Sequence, residues 1–328
     1  MRGPGEVGAA GGRRTATGVS KAAALVVAAL AAAPAPAAPQ HAHPPDVAAD
    51  PAARAFVDSA TLATRRFADR GQAIRAGYRR LGPDFPGMGE HWIHPGRIVR
   101  GVLDPSRPSV LSYVEIEGEP VLVGLAFTLP LGPDDAPPTG PFGIDVWHDH
   151  SGAVDEETLL LNHPSSAHGV SGGPRLSMVH VWTDLENPDG VLAQNNWRLP
   201  WVRVGLAPPH ASMEAARGVS LAYGGRAFYA ELIRRAAELT PAESEAVAAA
   251  LDRHASEAER RIELARDAAD ATVADPLAFA DLWRSFWDGV RDEVRPDTWR
   301  HLAPLADDPV QGHGSPAVPS GGPVPDPG

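Results

Sequence analysis

The amino-acid sequence predicts an α+β fold: an N-terminal helix packed on an antiparallel β-sheet, followed by an α-helical C-terminal region. Three observations carry that expectation. An apolar stripe at helical spacing follows Asp50-Pro51. Several short runs of strand character come next with no helical crossover between them. An alanine-rich stretch after residue 206 then carries explicit helix-start signals.

Residues 1–37 have the layout of a cleaved export signal: Arg13-Arg14, an apolar run from Ala22 to Ala33, and Ala35-Pro36-Ala37 as a small-residue cleavage site. The run is too short to remain as a membrane-spanning helix, so the expected product is a periplasmic or extracellular protein cut near Ala37. The paired arginines resemble a twin-arginine signal, but Thr15-Ala16-Thr17 stand where hydrophobic residues usually follow, which favours ordinary secretion. Residues 38–50 form a linker to an α+β domain over 51–206. There Asp50 is an N-cap and Pro51 a first helical residue. Phe56, Ala60, Ala63, Phe67, Ile74 and Tyr78 share one helical face, and the pattern ends near Gly82-Pro83.

The segment Pro86–Gly96 is rich in glycine and proline and is expected to be a loop. Val110–Ile116 and Pro120–Leu129, joined by Glu117-Gly118-Glu119, predict a hairpin with Val121, Val123, Leu125 and Phe127 on one face. Further strands are expected over residues 142–149 and 175–183, giving a sheet of four to six strands. The helical region, 207–303, contains the capping box Thr240-Pro241-Ala242-Glu243 and the stripe Val247, Leu251, His254, Ala258 and Ile262. A second helix start at Asp275-Pro276 precedes Trp283, Phe286 and Trp287. Residues 304–328, dense in proline and glycine, are expected to form a disordered tail.

The formal charge is −12, and loss of residues 1–37, which carry four basic residues and Glu6, leaves −15. Such a chain repels phosphate backbones, so no nucleic-acid partner is expected. The acidic excess favours solubility and attracts cations. With no cysteine in the sequence, thiolate metal sites, disulfides and cysteine nucleophiles are excluded together.

The histidines are the most informative residues. In Trp147-His148-Asp149-His150, the two imidazoles stand at i and i+2, and on a strand they project from one face toward one point. His180, in Met178-Val179-His180-Val181-Trp182, belongs to a second strand, and His91 to the glycine-rich loop. Neutral imidazole suits Zn, Cu, Fe and Ni, so His148, His150 and His180, with His91 as a fourth ligand, form a candidate metal set. Zn or Cu fits it better than Fe. Met178 has the strand parity of His180 and is a soft donor, although methionine commonly fills core space. Glu90, Asp184, Asn187 and Asp189 are candidates to orient the imidazoles. Equally, histidines in strands often serve only as hydrogen-bonded packing residues. A cupin would also carry such a pair on a strand, with an acid nearby as in Asp155 or Glu156, but the glycine-containing second motif is missing before His180. His163 and His168 are expected on a loop. Gly169-Val170-Ser171-Gly172-Gly173 matches the spacing of a nucleophile elbow without its strand and helix flanks.

Several strings resemble a family of exported bacterial proteins of unknown function. They are Gly77-Tyr78, the run from Met88 to Pro95, the run from Asp104 to Tyr113, Leu122–Phe127, Trp147–His150, the run from Val179 to Ala193, and Asn196–Pro200. The family's pattern is MGxHxxxP, DPxxPxxLxY, WHxH and HVWxxxxNPDG, and the resemblance covers about residues 55 to 206. It implies export and no established activity. Related sequences place cysteines after WHxH; this chain has none and would have to bind metal through histidine.

The expectation is therefore an exported protein that binds a transition metal at His91, His148, His150 and His180, with no substrate or reaction specified. The alternative is a metal-free interaction or structural protein of the cell envelope, forming a homo-oligomer through its helical region.

Overall fold

Helix α1, Pro51–Thr64, starts where the sequence places it, with the Asp50 carboxylate accepting from the amides of Ala52 (2.8 Å) and Ala53 (3.3 Å). The computed structural model describes residues 50–132, 135–151, 175–207, 212–268 and 275–307, all within one compact unit. The predicted single helix to residue 82 is interrupted. After a 3₁₀ turn at Arg65–Ala68, extended Asp69 caps a new helix, α2 (Arg70–Arg75), through its bond from Gly71 N (2.8 Å). The break turns Ile74 out to solvent while Phe67 and Tyr78 stay buried.

Strand β1, Arg79–Phe85, runs through Gly82-Pro83. It is an edge strand whose pairing with β2 (Gly89–Ile93) shifts between Leu81 and Asp84, where a missing proline N–H is tolerated. The segment expected to be a loop thus supplies β2 and then helix α3 (Pro95–Arg100). Gly89 is what permits it: its φ is +76°, and a Cβ there would lie 2.4 Å from the Tyr113 carbonyl oxygen. The hairpin forms, β3 (Val110–Ile116) to β4 (Glu119–Leu131), turning through two left-handed residues, Glu117 and Gly118. The expected single face of Val121, Val123, Leu125 and Phe127 does not, because the register shift between Ser112 and Tyr113 inverts the alternation: Leu125 and Phe127 pack toward the N-terminal helices, Val121 and Val123 with Trp182.

Strand β5 covers only His148–Ser151, because the chain before it closes a turn, Trp147 N donating to Ile144 O (3.2 Å). Strand β6 is Arg175–Trp182. The six strands lie in the order β1-β2-β3-β4-β6-β5, every pair antiparallel. On one face, Leu111, Tyr113, Leu125, Phe127 and Val181 pack against the N-terminal helical segment. Phe56 of α1 meets Phe127 edge-on at 5.1 Å, and Tyr113 OH donates to Phe67 O at 2.6 Å.

The C-terminal region contains α4 (Leu199–Arg203), α5 (Met213–Ser220), α6 (Gly225–Ala236), α7 (Pro241–Asp267), α8 (Pro276–Glu293) and α9 (Pro296–Asp307). The capping box at Thr240 and Glu243 and the Asp275 cap are both present. Helix α9 extends past residue 303, with Pro304 inside it. Trp201, Phe228, Trp283, Phe286 and Trp287 form a core that also takes in Phe85 and Met88, so the helices and the β1–β2 end of the sheet share one interior. A mostly buried ion pair, Arg203 to Asp84, joins α4 to β1. Among the described residues no helix is long and apolar enough to cross a membrane.

Candidate metal centre

Strand parity decides which side chains meet on the second face of the sheet. His91 on β2 pairs with Ser112 on β3, Ser112 with Gly124 on β4, and Gly124 with Trp182 on β6. One row along, Ala126 pairs with His180, and Met178, two residues before His180, pairs with His148 on β5. His91, His148, His180 and Met178 therefore share a face, with Ser112, Gly124 and Ala126 between them.

β2 and β6 are three strand spacings apart, about 14 Å in a flat sheet. The rings of His91 and His180 nevertheless lie 6.0 Å apart, centroid to centroid, and those of His148 and His180 lie 5.1 Å apart. Leaning side chains do not close such a gap, so the sheet curls toward this face. Two register shifts, at Leu81/Asp84 and Ser112/Tyr113, help it bend. The intervening residues are small enough to let the rings converge over them. The pocket is sealed: His91, His148 and His180 are 3%, 4% and 2% exposed.

His91 sits edge-on to Phe85 at 5.0 Å, and burial alone pushes its pKa down to about 4, so the ring is neutral across the physiological range. Its Nδ1 is buried with no hydrogen-bond partner among the described residues. A neutral imidazole with an unused buried nitrogen is the donor a metal ion requires. His148 and His180 stack with planes 21° apart, and Trp182 continues the stack at 19° and 6.1 Å from His180.

As they stand, no three His, Asp or Glu side chains among the described residues are disposed to hold an ion. Ligand nitrogens at about 2.05 Å from a tetrahedral metal stand roughly 3.3 Å from one another. The stacked arrangement of His148 and His180 is therefore not that of a ligand pair. His150 occupies the next position of matching parity on β5, opposite Leu176; its side chain lies outside the described residues. So do Asp155, Glu156, His163, His168 and the Gly169–Gly173 segment.

The residues expected to orient the imidazoles do other work. Glu90 has the opposite parity to His91 and binds Arg80 (3.0 Å), Arg70 (3.5 Å) and Trp92 Nε1 (3.2 Å). Asn187 builds a turn: its Oδ1 accepts from Asp189 N (3.1 Å) and its Nδ2 donates to Asn195 O (2.8 Å). Asp184 is exposed and accepts from Thr183 Oγ1. The turn nevertheless serves the site, since it delivers Ala193 O to Trp182 Nε1 (2.6 Å) and so fixes the indole stacked on His180. Sequence reasoning did not single out this role of Trp182. Much of the rest of the motif content is likewise scaffolding: Tyr78 OH donates to Pro108 O (2.7 Å), and Asp104 caps Ser106 N (2.9 Å). His254, on the α7 stripe, bonds Ala250 O at 2.7 Å through Nδ1 and lies edge-on to Phe286, a packing residue.

Comparison of the chain with protein families, with curated proteins and with solved structures finds no match.

Proposed function

We propose that this is an exported protein that binds a late transition-metal ion through the imidazoles of His91, His148 and His180, with His150 as a further ligand. The observation that carries this reading is the convergence of three buried rings over a floor of small residues, one of them with an unused buried nitrogen. Imidazole donors without thiolates suit Zn or Cu. A bound ion with an open position would supply Lewis acidity, and an ion that changes valence would supply electron transfer. No substrate is assigned.

A second reading has its own support. The near-parallel stack of His148, His180 and Trp182 is an ordinary packing motif, and Leu264 on α7 and Leu277 on α8 are large exposed apolar residues. In that reading the histidines are structural and the helical region mediates self-association. Elemental mass spectrometry on protein recovered after export separates the two. Near-stoichiometric Zn or Cu that disappears in a His148→Ala/His180→Ala variant of unchanged circular dichroism supports the metal reading. Metal-free protein that also takes up none on dialysis against Zn(II) or Cu overturns it.

A further inference from the structure

We infer that the ion is monovalent copper and that Met178 supplies a thioether donor to it; this rests on the metal reading above. Met178 is the direct cross-strand partner of His148, stands two residues before His180 on the same face, and packs with Ile93, Val110 and Ala126 beside the two rings. Directly opposed residues on paired strands hold their Cβ atoms about 5 Å apart, within reach of a common ion for a side chain with three rotatable bonds. It is 2% exposed. Met88 and Met213 pack with the helices, away from the three imidazoles.

Two features of the pocket argue for a soft, singly charged ion. The first is donor softness: with no cysteine in the chain, methionine is the softest ligand it can offer, and thioethers select Cu(I) over Zn(II). The second is charge. Among the described residues, the strand neighbours on this face, Ser112, Gly124, Ala126, Thr128 and Trp182, are uncharged, and Glu90 points away to Arg70 and Arg80. The cost of taking an ion out of water grows with the square of its charge, so a divalent ion suffers about four times the penalty of a monovalent one in such surroundings. Neutral imidazoles hold either ion; the thioether and the lower charge to be desolvated tilt this donor set toward Cu(I).

The test is a pair of competition titrations on the full exported chain stripped of metal: Cu(I) against a chromophoric chelator without oxygen, and Zn(II) against a zinc dye. Wild type is compared with Met178→Leu, which keeps the core volume, and with His180→Ala. The expected result is one Cu(I) per chain, weakened at least about tenfold in Met178→Leu, with Zn(II) affinity unchanged by that substitution and both metals lost in His180→Ala. Copper X-ray absorption should show a sulfur neighbour that Met178→Leu removes. Unchanged Cu(I) affinity in Met178→Leu overturns the thioether assignment and leaves the imidazole site standing, as does equal weakening of both metals, which would mean that Met178 acts through packing. Binding of neither metal by wild type overturns the underlying reading as well.

Discussion

Burial of His91 makes the stability of the metal-free chain sensitive to acid in a way that can be calculated. In the unfolded chain this ring titrates near 6.5; in the fold, desolvation holds it at about 4. Above pH 6.5 the ring is neutral in both states and the full stability is present. As the pH falls below 6.5 the unfolded chain takes up a proton that the folded chain refuses, and stability drops by about 1.4 kcal/mol per pH unit until the folded ring itself titrates. Between pH 7.5 and 4 the loss assignable to His91 is therefore roughly 3 kcal/mol. The assay is urea unfolding at half-unit pH intervals with a chelator present, on wild type and on His91→Leu, which cannot titrate. Other groups contribute to both curves and cancel in the difference, which carries a constant offset from the substitution itself and should change by about 3 kcal/mol between pH 7.5 and pH 4. Parallel curves, or an NMR titration of the His91 ring near 6.5, would refute the claim that this ring is sealed from water, and with it the account of the curled sheet.

Phe127→Ala removes a fully buried ring that packs against Phe56 and should cost about 3–5 kcal/mol by denaturant unfolding, with a neutral result excluding α1 from the core. Gly218→Ala brings a Cβ to within 2.1 Å of Phe279 O across the α5–α8 contact; a loss of about 1–3 kcal/mol is expected, read as a lowered thermal midpoint. Glu243 accepts from the side chain and amide of Arg295 and from Thr240 N, which hold its carboxyl well below the usual 4.5. Its contribution is thus present above pH 4.5 and lost as the pH falls toward the depressed value. Glu243→Gln should flatten that acid limb, and an unchanged limb would show the cluster to be weak.

Local chemistry determined more of the architecture than of the site. Asp50, Thr240 and Asp275 each announce a helix because a short oxygen-bearing side chain followed by proline satisfies the free amides of a first turn, a requirement met within a few residues. The β3–β4 hairpin was legible for the same reason, its turn being local, but the bulge that puts Val121 and Val123 on the other face from Leu125 and Phe127 was not. Where pairing depends on distant chain, the pattern misled. Gly82-Pro83 looks like a helix end and lies in an edge strand; Gly89 looks like a loop residue and is the close-approach point of β2 on β3. The sequence also marked His91, His148, His150 and His180 as chemically capable, since residue type and period-two spacing are enough for that. That His91 reaches His180 across three strand spacings was decided by the tertiary structure alone: it requires the curl of the sheet and the small side chains of Ser112, Gly124 and Ala126 on the β3–β4 hairpin, which is far in the chain from His180. The neutrality of His91 follows from the same source, because desolvation belongs to the packed interior and to no residue by itself.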